Sequence, residues 1–281
     1  MNFKQKLEII IKKNNSLLCI GLDPDLEKIP NFLLKKKDSI FEFNIEIIKK
    51  THDLVCAYKP NIAFYEAYGL KGLSQLKKTV EYIKYYHPEI PIILDAKRAD
   101  IGNASKMYAK SAFGYWNVDA ITVNPYLGFD SIEPFLEYKD KGVIILCKTS
   151  NPGAKDFQDS YVSPGIHLGS GLNRTPREIV EPLYLNIARN VVEWDKKYKN
   201  CLMVIGATWP NDLKKIRKIA PNMYFLVPGI GAQKGEAEKA AKVGVNKDKS
   251  GIMFNVGRSI IYDPYPRKKA SELKNIINRF R

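Results

Sequence analysis

A short stretch of alternating charges follows an apolar run in the first third of the chain. Residues 92–101 read IILDAKRADI, so the apolar run ends in Asp95, Lys97 and Asp100. Residues i and i+2 of a strand point to the same face, so Asp95 and Lys97 are predicted to share one wall, whereas Asp100 lies past the strand end and faces elsewhere. Two interpretations stay open at this point: a salt-bridged strand terminus, which is nearly neutral in energy, or a catalytic site.

Lys59, which ends another apolar run, completes a set of two cations and two anions. Flanking carboxylates offset the desolvation that lowers the pKa of a buried lysine, so such a set can keep a lysine protonated as a general acid. A Schiff-base lysine would need apolar or cationic surroundings instead. A metal site built from Asp23, Asp95 and Asp100 is an alternative, although two lysines in the same place compete with a cation.

Two glycine-containing segments near the C-terminus predict an anion site. Residues 228–233 read PGIGAQ and residues 255–258 read NVGR. Glycines let backbone N–H groups approach a phosphate closely, Gln233 adds a neutral hydrogen bond, and Arg258 adds a bidentate clamp. The alternative is that these glycines only make tight turns, because glycine spacing alone is a weak signal.

The elements that would position these groups alternate regularly along the chain. Eight short apolar runs predict buried strands, and amphipathic segments between them predict helices. The runs cover 17–22, 55–59, 92–97, 120–123, 143–148, 202–207, 224–227 and 252–256, and the main helical segments cover 40–50, 73–86, 103–112, 179–198, 212–219, 237–243 and 266–280. This pattern predicts a single (β/α)8 TIM barrel over residues 1–281, with an open doubly wound sheet as the alternative.

The barrel interpretation carries two further expectations. A helix over 3–13 precedes the first strand and closes the lower end, and an irregular insertion at about 150–177 follows the fifth strand. Barrel enzymes place catalytic groups at the carboxyl ends of their strands, where Asp23, Lys59, Asp95 and Arg258 all fall.

Composition points to a cytoplasmic protein that works on a small molecule. The net charge is +15, but the lysines are dispersed on helices without interleaved aromatic residues, which does not favour a nucleic-acid surface. No apolar stretch is long enough for a membrane span. The four cysteines are widely spaced in apolar runs, so neither disulfides nor a zinc site is expected.

Six motifs together resemble the orotidine 5'-phosphate decarboxylase family, and within it the second, longer subfamily. They occur in the family's order across nearly the whole chain: GLDPD at 21–25, KPN at 59–61, DAKRADIGN at 95–103, KTSNP at 148–152, PGIGAQ at 228–233 and NVGR at 255–258. The resemblance implies a homodimer that converts orotidine 5'-monophosphate to UMP, the last step of de novo pyrimidine biosynthesis, without cofactor or metal. A magnesium-dependent sugar-phosphate lyase and a basic RNA binder are the alternatives.

The resemblance also implies roles for individual residues. Lys97 donates the proton to pyrimidine C6, Lys59 and Asp95 complete the catalytic array, and Asp100 enters the site of the opposite subunit. The implied substrate-binding residues are Asp23 and Lys59 for the ribose, Ser150 for the pyrimidine edge, Gln233, Gly257 and Arg258 for the phosphate, and in addition Asn61, Ile101, Ser105 and Pro228. Ala99 and Ala104 depart from the glycine and threonine usual in the family, so a ribose contact across the dimer is lost or moved to Ser105.

Overall fold

A ring of eight parallel strands forms the centre of the protein in a computed structural model, which describes residues 1–163, 180–230 and 234–281. The strands of the described residues are β1 (Leu18–Leu22), β2 (Ala57–Pro60), β3 (Ile93–Arg98), β4 (Ala120–Val123), β5 (Gly142–Lys148), β6 (Tyr161–Val162), β7 (Glu181–Pro182), β8 (Cys201–Ile205), β9 (Phe225–Val227) and β10 (Ile252–Val256). All except the short antiparallel ribbon β6–β7 pair in the order β2-β1-β10-β9-β8-β5-β4-β3. Bridges Tyr58–Ile92 and Asn61–Asp95 join the two end strands, so the sheet closes into a barrel.

Helices follow the strands and cover the outside of the ring. They are α1 (Phe3–Lys13), α2 (Asn31–Leu34), α3 (Ser39–Thr51), α4 (Ala63–Glu66), α5 (Gly69–Tyr86), α6 (Gly102–Lys110), α7 (Phe129–Leu136), α8 (Ala154–Phe157), α9 (Leu183–Tyr198), α10 (Pro210–Ile219), α11 (Lys234–Gly244), α12 (Arg258–Ile261) and α13 (Pro266–Asn278), with a π-helical turn at Ser111–Tyr115 and a 3-10 turn at Pro125–Leu127. Helical crossovers of this kind are the usual way to connect neighbouring parallel strands.

The predicted barrel is confirmed, and the open doubly wound sheet is excluded by the closing bridges. Each of the eight apolar runs became a barrel strand, with ends within two residues of the prediction. The runs are continuous rather than alternating because the strands are buried on both faces, as β1 and β8 show throughout their length.

Among the described helices longer than four residues, one was not predicted from the sequence. It is α7, which is only eight residues long, starts after Gly128 at φ +95° and contains Pro134. Glycine and proline signals on so short a segment obscured its helical period.

The first helix packs against the amino-terminal end of β5. Phe3 donates its backbone N–H to the carbonyl of Asp140 at 2.9 Å, and its ring lies where a side chain on Gly142 would be. Of the insertion expected at about 150–177, the structure describes residues up to 163, which contain α8 and β6; residues 164–179 lie outside the described part.

Candidate active site

Lys59, Asp95 and Lys97 meet at the carboxyl ends of β2 and β3. Lys59 Nζ lies 2.8 Å from Asp95 Oδ2, and Lys97 Nζ lies 2.6 Å from Asp95 Oδ1. The Lys59 side chain is 3% exposed, whereas that of Lys97 is 48% exposed. One carboxylate therefore holds two ammonium groups, one of them buried and the other facing the barrel mouth.

Lys97 has a backbone conformation that the simple strand pattern did not predict. Its φ is +47°, and the pairing of β3 with β4 shifts register between Leu94 and Arg98. The regular i, i+2 alternation therefore does not hold here, because a bulge inserts extra backbone into one strand. The side chains of Asp95 and Lys97 nevertheless converge through this irregularity.

The charges of the cluster shift one another's pKa values in opposite directions. Burial by itself raises the pKa of Asp95, but the charges and hydrogen bonds of Lys59 and Lys97 outweigh it and hold that pKa well below the usual range. Burial by itself lowers the pKa of Lys59, yet Asp95 and Asp23 overcome it and raise the pKa of this ammonium group. Asp95 and Lys59 are therefore both charged at neutral pH.

Asp23, just after β1, adds a second carboxylate beside Lys59. Burial raises the pKa of Asp23, and the nearby Lys59 charge only partly offsets this. Its Oδ1 atom is buried without a hydrogen-bond partner among the described residues. Side chains on Gly21 or Gly257 would come within 3.1 and 3.2 Å of Asp23 Oδ2, so glycine at both positions keeps this carboxylate uncrowded.

The backbone around Asp23 is held by two tyrosines, the partly buried Tyr262 and the buried Tyr65. The hydroxyl of Tyr262 donates to the carbonyl of Asp23 at 3.1 Å and accepts the N–H of Asp25 at 2.6 Å. The hydroxyl of Tyr65 donates to the carbonyl of Leu22 at 2.9 Å. The unpartnered oxygen of Asp23 is therefore presented from a fixed loop, as a group that binds a ligand hydroxyl requires.

Ser150 lies just beyond β5, close against the ends of β8 and β9. A side chain on Gly206 would come 2.6 Å from Ser150 Cα, and one on Gly229 would come 2.9 Å from Ser150 Cβ. Thr208 Oγ1 donates to the Ser150 carbonyl at 3.2 Å, and Trp209 Nε1 donates to the carbonyl of Thr149 at 2.8 Å.

The loop after Ser150 is anchored from beneath by Lys148. This ammonium group is fully buried, pairs with Asp159, and lies 5.2 and 5.1 Å from the ring centres of Tyr184 and Trp209. Gln158 also bridges back to Thr149, whose N–H it accepts at 2.9 Å. The strand-end loop is thus tied to the barrel at several points.

The predicted phosphate cradle is described in part. Gly257 follows β10, and Arg258 is exposed as the first residue of α12. Pro228 follows β9, and its carbonyl accepts the N–H of Ala207 at 2.8 Å. Gln233 lies outside the described residues.

Four other predicted residues remain, and one of them, Asn61, reaches the charged cluster through a backbone hydrogen bond to the Asp23 carboxylate. Asn61 caps its own turn, accepting the N–H of Ala63 at 3.1 Å, and Asp100 accepts the N–H of Ile101 at 2.8 Å. Ile101 is 59% exposed. Ser105 is fully buried and donates to the carbonyl of Ser131 at 2.8 Å, so the structure does not bring its hydroxyl to the barrel mouth or to an exposed surface.

Thr122 is a member of the cluster that the sequence reasoning missed. Its hydroxyl donates to Asp95 Oδ1 at 2.9 Å. The only signal was a polar residue inside the apolar run 120–123, which also suits a strand on β-propensity alone.

Among the described residues, no three His, Cys, Asp or Glu side chains come together as a metal-binding group. No described helix is long and apolar enough to cross a membrane.

The fold and the charged cluster at the carboxyl ends of its strands are together typical of barrel enzymes, which hold their catalytic groups at this end. The sequence profile of the Orotidine 5'-phosphate decarboxylase / HUMPS family matches residues 16–273. The chain belongs to this family.

Individual relatives agree with this assignment. The chain is 46% identical to orotidine 5'-phosphate decarboxylase of Cellvibrio japonicus over 264 residues, which cover 93% of this chain and 90% of the relative. It is 48% identical to the protein of the same name from Flavobacterium johnsoniae, with 92% and 88% covered. The structure of Leishmania donovani OMP decarboxylase superposes with a TM-score of 0.84 at 36% identity, covering 100% of this chain and 98% of that one.

Proposed function

We propose that this protein decarboxylates orotidine 5'-monophosphate to UMP in pyrimidine biosynthesis. The observation that carries the proposal is the Lys59–Asp95–Lys97 array at the barrel mouth, in a chain that belongs to the decarboxylase family. In this array two lysines share one carboxylate, and the more exposed lysine faces the space where a ligand would enter.

Lys97 is the proposed proton donor. When the bond between C6 and the carboxylate carbon breaks, its electron pair stays on C6, and CO2 leaves. The Lys97 ammonium stabilises this negative charge and transfers one proton to C6, after which the neutral lysine regains a proton from solvent. Asp95 holds the ammonium in place at 2.6 Å and crowds the substrate carboxylate, which favours departure of CO2.

The remaining groups supply binding. Asp23 Oδ1, buried and unpartnered among the described residues, accepts a ribose hydroxyl, and Lys59 donates to the same sugar. Ser150 contacts the pyrimidine edge. The phosphate lies against Gly257 and Arg258, with Gln233 as a further ligand. Binding of a remote phosphate can be used to lower the barrier at C6.

We also propose a cytoplasmic homodimer in which Asp100 completes the site of the partner subunit. Supporting this, several apolar side chains are exposed in the segment that starts beside Asp100: Ile101 (59%), Met107 (58%), Tyr126 (78%) and Leu127 (44%). Exposed apolar residues in such numbers are typical of an interface. The long segment between β5 and α9 supports membership of the longer subfamily, and one continuous buried core supports a single domain.

The proposal is tested with orotidylate and the Lys97→Ala variant. The wild-type protein should consume orotidylate at the same rate with and without EDTA, as measured by the loss of absorbance. Lys97→Ala should lose turnover but still bind UMP, because a half-exposed lysine leaves the ribose and phosphate contacts in place. The control Lys196→Ala removes an exposed lysine on α9 and should behave as wild type.

A mixing experiment tests the role of Asp100. Lys97→Ala and Asp100→Ala should each be inactive alone, but mixed subunits that re-pair at random should recover about a quarter of wild-type activity, since each heterodimer has one intact site. No recovery after exchange, with heterodimers verified by mass spectrometry, would show that Asp100 acts within its own subunit. Near-normal turnover by Lys97→Ala would refute the proposed mechanism.

A further inference from the structure

Thr122 contacts three consecutive residues of the neighbouring strand through one hydroxyl group. The residue lies on β4, 1% exposed, between the apolar Ile121 and Val123. Its Oγ1 donates to Asp95 Oδ1 at 2.9 Å and accepts the backbone N–H groups of Ala96 at 3.0 Å and Lys97 at 2.9 Å. The hydrogen-bonding capacity of the hydroxyl is therefore filled, one donor and two acceptor positions.

These bonds fall where β3 departs from regular geometry. Between Leu94 and Arg98 the register with β4 shifts, and Lys97 adopts φ +47°. A lysine gains nothing locally from the left-handed region, so such a conformation persists only where the surroundings impose it. Because a bulge leaves backbone N–H groups without their ladder partners, the Thr122 hydroxyl substitutes for the missing acceptor.

We propose that Thr122 is a positioning residue for decarboxylation, which fixes the bulge so that Lys97 points its ammonium at the reacting carbon. The inference rests on the proposed function of Lys97. The Asp95 side chain and the Lys97 backbone share the same hydroxyl, so losing it releases both ends of the 2.6 Å contact between Asp95 and Lys97. Thr122 itself touches no substrate atom in this proposal.

The test compares Thr122→Val, which keeps the shape but removes the hydroxyl, with Thr122→Ser, which keeps the hydroxyl. In Thr122→Val, kcat for orotidylate should fall by about tenfold to a hundredfold, the loss expected from displacing a reacting group by up to 1 Å. The Kd for UMP should change by less than about threefold, because ribose and phosphate contacts remain. Thr122→Ser should recover kcat to within about threefold of wild type.

Thr79→Val is the matched control. Thr79 is also fully buried, donates to the carbonyl of Gln75 at 2.8 Å and accepts from Asn44 at 3.1 Å, but it lies on α5 outside the ring. It should lower the melting temperature without lowering kcat. A crystal structure of Thr122→Val should show Lys97 leaving the left-handed region.

Several results would overturn the inference. Wild-type kcat in Thr122→Val, a Thr122→Ser variant as slow as Thr122→Val, or an unchanged Lys97 backbone in the crystal would each do so. If the wild-type protein does not consume orotidylate, the proposed function fails instead, and the Lys97 conformation in Thr122→Val then decides the positioning role independently of turnover.

Discussion

The loop that carries Ser150 crosses Gly206 with no space for a methyl group. A Cβ atom on Gly206 would lie 2.6 Å from Ser150 Cα and 2.9 Å from both Ser150 N and Cβ, whereas ordinary contact begins at 3.4 Å. The Gly206→Ala variant must therefore push Ser150 outward by about 0.8 Å, the difference between 2.6 and 3.4 Å. The neighbouring backbone has little freedom to yield, because Gly206 donates its N–H to the carbonyl of Lys148 at 2.7 Å.

The displacement is large enough to affect turnover. Moving a positioning group by about 1 Å can cost a hundredfold in rate, so kcat/KM of Gly206→Ala should fall by about 30- to 100-fold, or about 2 to 3 kcal/mol. If the effect acts through the Ser150 hydroxyl, the double variant Gly206→Ala, Ser150→Ala should be no slower than the slower single variant. The assay is orotidylate turnover, with UMP affinity measured by calorimetry.

A glycine at the other end of the barrel provides the control. A Cβ on Gly142 would come 2.5 Å from Phe3 Cδ1, so Gly142→Ala has a comparable clash far from the strand ends that hold the site. It should lower the melting temperature while kcat/KM stays near wild type. Full activity in Gly206→Ala, or equal losses of kcat/KM in both variants, would refute the reasoning.

Two further predictions concern stability. Burial raises the pKa of Asp23, so above that pKa the ionised carboxylate lowers the stability of the folded protein. Asp23→Asn should therefore raise the melting temperature at neutral pH. The gain should shrink as the pH falls toward about 3.9, the pKa of an unfolded aspartate, and a gain that calorimetry finds unchanged between pH 4 and 8 would contradict this. The second prediction is that Arg217→Met lowers the free energy of unfolding by about 3 kcal/mol or more without lowering kcat. The guanidinium of Arg217 is buried, which lowers its pKa to about 9. It lies at the amino-terminal side of the barrel and donates to the carbonyls of Ala220, Met223, Gly244 and Gly251. Arg267→Met, which removes an exposed pair with Asp53, should cost about 1 kcal/mol of unfolding free energy or less. Urea titrations measure both variants, and equal costs would count against the Arg217 prediction.

Local pattern was enough to predict the barrel. Each barrel strand is a continuous apolar run, and the predicted helices show a helical period of apolar residues. Both patterns can be read from neighbouring residues without knowing which distant segments come into contact. The same reasoning placed Asp23, Lys59 and Asp95 together, because parallel strands bring their carboxyl ends to one side. It failed for α7, where Gly128 and Pro134 interrupt the period of a short helix.

The positioning of these groups could not be predicted in the same way. Thr122 looked like an ordinary strand residue, and only its approach to Asp95 across 27 positions gives it a role. Gly206 fell inside the predicted strand run 202–207, and only the structure shows that the Ser150 loop lies against it. Both depend on contacts between segments that are far apart in the chain.

The sequence by itself determined the barrel and the charged groups at the ends of its strands, because both follow from local period and residue type. Only the tertiary structure decided how Asp95 and Lys97 are aimed. A strand pattern predicts a regular alternation, whereas the closed ring places the Thr122 hydroxyl where it satisfies an irregular backbone and holds Lys97 at φ +47°. Hydrogen bonds between distant segments select that conformation, since local preferences of a lysine oppose it.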